Sequence, residues 1–117
     1  MYWYEMKQTV ASTLNSIPNI YVTTGTVKKS DKPTIVYREL ANYPVDPTQK
    51  IIFLSYGIDI YGSKTLTNLV VEIDKKLRDI GLFRIDMTDI ETDGVRHKYL
   101  MYETYLMDGS EIYYRTY

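Results

Sequence analysis

Between Ile51 and Tyr61 the chain reads IIFLSYGIDIY, and its residues separate into two rows. Ile52, Leu54, Tyr56, Ile58 and Ile60 form one row, and Phe53, Ser55, Gly57, Asp59 and Tyr61 form the other. Successive side chains of a strand point to opposite faces, so this period of two reads as a β-strand and not as a helix. One row is uniformly apolar and must be covered by a second layer. The other is mixed, the pattern of a sheet face that meets solvent or a subunit.

The elements around this strand follow from the same logic. Trp3, Met6, Val10, Leu14 and Ile17 keep the three-and-four spacing of one helix face, and Pro18 ends that helix near Ser16 or Ile17. Ile20 to Thr24 is short and β-rich, and Thr34 to Leu40 reads as a strand. ANYPVDPTQ carries two prolines and reads as a loop. Leu66, Leu69, Val70, Ile73, Leu77 and Ile80 form the stripe of a second helix, from about Thr65 to Ile80, with Gly81 as its left-handed terminator. Leu82 to Ile90 contains a further strand, Asp93-Gly94 signals a hairpin turn, and Val95 to Leu106 is the last strand. The order predicts an α+β domain: a mainly antiparallel sheet of about five strands with two helices packed on one face. Residues 1–106 form that domain, and 107–117 read as a C-terminal interface segment.

Composition narrows the function. A chain of 117 residues holds one domain. It has no apolar run near the roughly 18 residues of a membrane span. The start, MYWYEMKQ, lacks a basic segment followed by an apolar block, so no signal peptide is expected. There is no cysteine, which removes thiol chemistry and favours a cytosolic origin. A net charge of −1 argues against binding that rests on phosphate neutralisation. Lys28, Lys29 and Lys32 cluster, but with Asp31 among them they read as a solvated loop. Tyrosine is the unusual residue: there are 13, and an amphipathic ring suits both sheet faces and contact surfaces.

Three motifs invite chemistry and none sustains it. YGIDIYGSKT resembles a phosphate loop, G-x-x-x-x-G-K-[ST], but Ser63 intervenes before Lys64. One inserted residue rotates the lysine by about 100° on a following helix. The strand alternation also runs through Gly57, so the intervening N–H groups belong to a sheet ladder. Gly62 then reads as the turn, and Ser63 or Thr65 as the helix cap. DIETDG matches half a calcium loop, yet its twelfth position is Leu100 and not a carboxylate. His97 is the sole histidine, sits between Arg96 and Lys98, and has no motif partner. No catalytic, cofactor or metal residue is predicted.

The overall pattern resembles the tail-terminator (tail-completion) proteins of long-tailed bacteriophages. The resemblance rests on an amphipathic helix ending SIPNIYV, then KPTIVYRELANYP, a long strand ending YGIDIYGSKT, the helix LTNLVVEIDKKLRDIGLFRI, and a hairpin ending VRHKYLMYETYL. It covers nearly the whole chain as a pattern of elements, without a signature motif. The end of the second helix, IGLFRI, departs from the family's usual residues, and the segment after Leu106 has no match.

The resemblance implies a non-enzymatic virion protein of the neck. It would assemble in the host cytoplasm as a hexameric ring on the tail tube protein, end tube polymerisation, and dock to the head-completion or connector protein. DNA would pass through the lumen without sequence-specific binding, and no membrane would be involved. Tyr43, Asp59, Tyr61, Ile112, Tyr113, Tyr114 and Tyr117 are the expected subunit-interface residues, an inference from the loops, the mixed strand face and the aromatic tail. The tail has two courses, folding back on its own sheet or adding to a neighbour's sheet edge as an extra strand, and a ring subunit favours the second. The alternatives are another neck protein, such as a head-closure or stopper protein, or a small cytosolic ligand-binding or regulatory domain.

Overall fold

The computed structural model describes residues 2–25, 32–92, 95–107 and 113–114. Helix α1 (Trp3–Asn15) is followed by β1 (Tyr21–Thr23), β2 (Thr34–Pro44), β3 (Ile51–Gly62), helix α2 (Thr67–Asp79), β4 (Phe83–Thr92), β5 (Val95–Met107) and β6 (Tyr113–Tyr114). The strands form one sheet in the order β1-β2-β3-β5-β4, with β6 beside β5. Only β1 and β2 run parallel; the other pairs are antiparallel. The fold is α+β, with both helices packed on the sheet. None of the described helices is long and apolar enough to cross a membrane.

The apolar row of β3 lies in the core as its alternation requires. Leu54, Ile58 and Ile60 are fully buried, with Met6, Val10 and Leu14 of α1 and Ile73 and Leu77 of α2 in the same cluster. Val70 joins them, while Leu69 packs at the margin. Strand β5 adds Leu100, Tyr102 and Leu106, registered opposite Ile58, Tyr56 and Ile52.

Helix α2 ends in a Schellman motif. The N–H of Gly81 donates to Arg78 O at 3.0 Å and that of Leu82 to Leu77 O at 2.9 Å. Gly81 has φ 96°, which a residue with a Cβ rarely adopts. Leu82 and Leu77 are both fully buried, the apolar contact that accompanies this ending.

Three expectations need correction. Ala41 to Pro44 are not loop but the continuation of β2. A β-bulge at Leu40, between Glu39 and Ala41, absorbs one residue and lets the ladder resume to Pro44 opposite Ile52. Proline is tolerated there because β2 is an edge beyond its short pairing with β1. Second, neither Ser63 nor Thr65 caps α2; the N-cap position is Leu66, without a side-chain cap bond. Leu66 is almost fully buried. Third, Gly62 belongs to β3 instead of making the turn, and a Cβ there would lie 2.9 Å from Leu66 Cδ2. Asp93 and Gly94, the expected hairpin turn, lie outside the described residues.

One rung of the buried face is polar. Glu39, Tyr56, Tyr102 and Arg84 lie side by side across β2, β3, β5 and β4. Tyr56 donates its hydroxyl proton to Glu39 Oε1 at 3.1 Å. Tyr102 donates to Asp74 of α2, whose other oxygen lies 3.2 Å from Arg84 Nη1. Burial first, and then the adjacent carboxylate, push both phenols well above their ordinary value of 10.0.

Two outcomes test this core. Ile73→Ala should cost about 2–5 kcal/mol in denaturant unfolding, the range for a buried large-to-small change; a loss of a few tenths would mean the stripe is exposed. Because the folded-state phenol pKa values are raised, their contribution is intact below pH 10 and lost above it, where the unfolded chain ionises first. Stability should therefore fall with a share of about 1.4 kcal/mol per pH unit for each such phenol. Tyr102→Phe should flatten the alkaline slope by that share in unfolding series at stepped pH.

Candidate functional site

The face of the sheet opposite the core row carries the second row of β3 and its registered neighbours. Both helices contribute to the core on the other side, so this face has no second layer among the described residues.

At one end of the open face an aromatic run crosses three strands. Tyr43 of β2, Phe53 of β3 and Tyr105 of β5 share a rung. Their rings contact in sequence, with centroids 5.3 Å and 5.2 Å apart, the tilted geometry that aromatic quadrupoles favour. Tyr43 is 51% exposed.

At the other end lies a charged cluster. Asp59 is only 8% exposed. Its Oδ1 lies 2.7 Å from His97 Nε2, and its Oδ2 3.6 Å from Arg38 Nη1. Tyr61 stacks on the His97 ring at 4.0 Å. Burial, and then the charge of Asp59, raise the Tyr61 phenol above its ordinary value. A largely buried carboxylate is costly unless paired, and here two strands supply its partners. Among the described residues the arrangement is a carboxylate–imidazole pair with no serine beside it. Ser55 shares the face, but it lies four strand residues from Asp59, about 13 Å along an extended backbone.

Gly57 separates the two ends. It pairs with Arg38 and Met101 inside the ladder. A Cβ at Gly57 would lie 2.9 Å from Tyr99 Oη and 3.2 Å from Leu40 Cδ1. Glycine is present because a tyrosine ring and the bulged leucine lie across the backbone at this point. The phosphate-loop resemblance of YGIDIYGSKT therefore has a structural origin. Asp89 likewise belongs to β4, where it binds Lys98 Nζ at 2.5 Å. The backbone is extended to Thr92, where a calcium loop would have to curl. The described residues contain no group of three or more His, Asp or Glu able to hold a metal ion.

The structure thus brings Asp59 and Tyr61 together around His97 and places Tyr43 at the far end of the same face. Ile112 and Tyr117 lie outside the described residues. The backbone of Tyr113 and Tyr114 forms β6, registered with Leu106 and Tyr105 of the chain's own β5. Of the two courses expected for the tail, these two residues take the one along the chain's own sheet: β4 reaches only to Glu103 of β5, and β6 takes the next stretch. Sequence reasoning did not find Arg38, His97 as the partner of Asp59, or the Phe53–Tyr105 contact, because all three depend on register. It also passed over the apolar side chains that β4 exposes at the sheet edge, Ile85, Met87 and Ile90. Compared with known proteins, the chain matches no protein-family model and no curated protein.

Gly57→Ala should destabilise by about 1–3 kcal/mol, the cost of overpacking a filled site. The double variant with Tyr99→Leu should recover most of that loss in denaturant unfolding. An unchanged loss in the double variant would mean that the Tyr99 ring does not lie over Gly57.

Proposed function

We propose that the chain is a structural ring subunit of the bacteriophage neck, a tail terminator that caps the tail tube, ends its growth and docks it to the head connector. The observation that carries this reading is a sheet that, among the described residues, is open at both edges. Along one edge, β4 has β5 on one side only and exposes Ile85, Met87 and Ile90. Along the other, β1 covers only Thr34, Ile35 and Val36 of β2, so the rest of β2 has a single neighbour, β3. An open apolar edge is a ready site for pairing with another chain. Two unlike edges on opposite sides of one subunit suit a head-to-tail contact, which closes into a ring when its rotation permits.

The bare face adds a second contact surface. Its partly exposed tyrosines have the amphipathic character of interface residues. The charged cluster around Asp59 is largely satisfied within the chain, which suits a positioning feature at a contact better than a reactive one. A net charge of −1 accords with a lumen that lets DNA pass without gripping it.

The test is native mass and electron microscopy of the purified protein, alone and with tail tubes. A sixfold ring is expected, and Met87→Lys should abolish it while leaving the subunit's melting temperature unchanged, because Met87 is exposed in the single chain. A monomer or dimer under every condition, tubes included, would overturn the reading and favour a small regulatory or ligand-binding domain.

A further inference from the structure

Four successive rungs cross the whole sheet from β2 to β4. They are Tyr37–Ile58–Leu100–Met87, Arg38–Gly57–Met101–Asp86, Glu39–Tyr56–Tyr102–Arg84 and Ala41–Ser55–Glu103–Phe83. The first residue of each rung lies on one edge strand and the last on the other, three strand spacings or about 14 Å away. Within one chain the two ends of a rung are out of each other's reach.

Taken as pairs, the ends are complementary. One rung has Arg38 on β2 and Asp86 on β4, and the next has the signs exchanged, Glu39 on β2 and Arg84 on β4. The outer two rungs set an aromatic ring against a thioether, Tyr37 with Met87, and a small residue against a large one, Ala41 with Phe83. Bonds inside the chain leave these charges able to take another partner. The Arg38 side chain is 57% exposed and lies 3.6 Å from Asp59. Asp86 is exposed and accepts the Met87 N–H at 2.8 Å. Among the described residues neither Asp86 nor Glu39 has an ion pair. Arg84 holds Asp74 through Nη1, and a guanidinium keeps further donors beyond that one.

We infer that in the ring β4 of one copy meets β2 of the next with these four rungs in line, so that Arg38 pairs with Asp86, and Glu39 with Arg84, of the neighbouring copy. The inference rests on the ring reading and fixes the register of its lateral contact. Strand direction allows it: three antiparallel pairings in succession leave β2 and β4 running in opposite senses. A rotation that keeps the helices on one side of the sheet then sets β4 antiparallel to the next β2. Opposite charges directly across such a pair stabilise it and like charges destabilise it. The same residues select the register. A slip has to be of two residues to keep both faces. Towards Pro44, it sets Arg84 opposite Asn42 and Asp86 opposite Ala41, and no charge pair remains. In the other direction it sets Asp86 opposite Val36, where β1 already lies.

Strand β1 also limits the length of the contact. The neighbour's β4 has to leave β2 after Met87, so the two strands cross instead of running on side by side. Both are bulged at the crossing, at Leu40 and at Ile85. A bulge bends its strand and sharpens the local twist, which suits a turn from one subunit to the next.

The chain has no cysteine, so an introduced pair is the only route to a disulfide. Residues directly opposite across an antiparallel pair have Cα atoms about 4.5–5.5 Å apart, within disulfide reach, whereas the ends of a rung in one chain are about 14 Å apart. Arg38→Cys with Asp86→Cys, mildly oxidised on tail tubes, should give a ladder of linked chains up to the hexamer; the Glu39–Arg84 pair remains in this variant. Arg38→Cys with Thr88→Cys, matched to the slipped register, should link about tenfold more slowly or less. Asp86→Lys, at an exposed position, should lower the ring fraction about tenfold or more at an unchanged melting temperature, because the like-charge contact recurs at every junction. No ladder from the matched pair, equal or faster linkage of the slipped pair, or an unchanged ring fraction in Asp86→Lys would overturn this register, while sixfold rings of the unaltered chain keep the ring reading standing. Absence of any sixfold ring from the unaltered chain overturns both.

Discussion

The structure depends on β3 being paired along both of its sides. Its partners, β2 and β5, are antiparallel to it, and each registers with it from end to end. The pleat then decides the fate of three strands at once. Ile35 lies beside Ile60, Leu100 beside Ile58, Tyr102 beside Tyr56 and Leu106 beside Ile52. All these residues are buried under the helices. A slip of one residue would turn each row over and bring Asp59 and Phe53 under the helices. Register is thus the variable on which core and surface both rest. The Tyr56–Glu39 bond and the close fit of Tyr99 over Gly57 each favour the observed register over that slip.

What could be read in advance follows from this division. Patterns carried by one segment were legible: the two rows of β3, the stripes of α1 and α2, and the glycine that ends α2. Each depends on a local period or on one backbone conformation. Properties that require two segments were not. Asp59 is a visible anomaly in an apolar strand, but its partners Arg38 and His97 come from strands on either side. Neither is identifiable until both registers are known. The extension of β2 through Pro44 was hidden for a related reason. Two prolines in ANYPVDPTQ signal a loop, and one bulge at Leu40 overrides that signal up to Pro44. The hollow lined by Trp3, Glu39, Asn42, Pro44, Gln49 and Ile52 was the least legible, because α1, β2, β3 and the turn after Asp46 each contribute part of it.

The distribution of tyrosines shows how this sheet reconciles a filled core with exposed surroundings. Tyr56 and Tyr102 are almost fully buried, and each needs a carboxylate for its hydroxyl. Glu39 and Asp74 meet that need from the margins of the core, so both buried phenols of the rung are satisfied. On the opposite face Tyr43, Tyr61, Tyr99 and Tyr105 have no helix over them. Leucine or isoleucine at these positions would leave apolar surface in water without relief. A tyrosine covers its neighbours with the ring and keeps its hydroxyl hydrated. The same residue type therefore fills the core and makes the bare face tolerable in water. The face remains available for a partner because covering it buries ring area without stranding a polar group, as long as the partner offers acceptors at the hydroxyls. Exposed Ile85 and Met87 on β4 lack that double character. Water is a poor environment for them in the single chain, so the edge gains more from being covered than the face does.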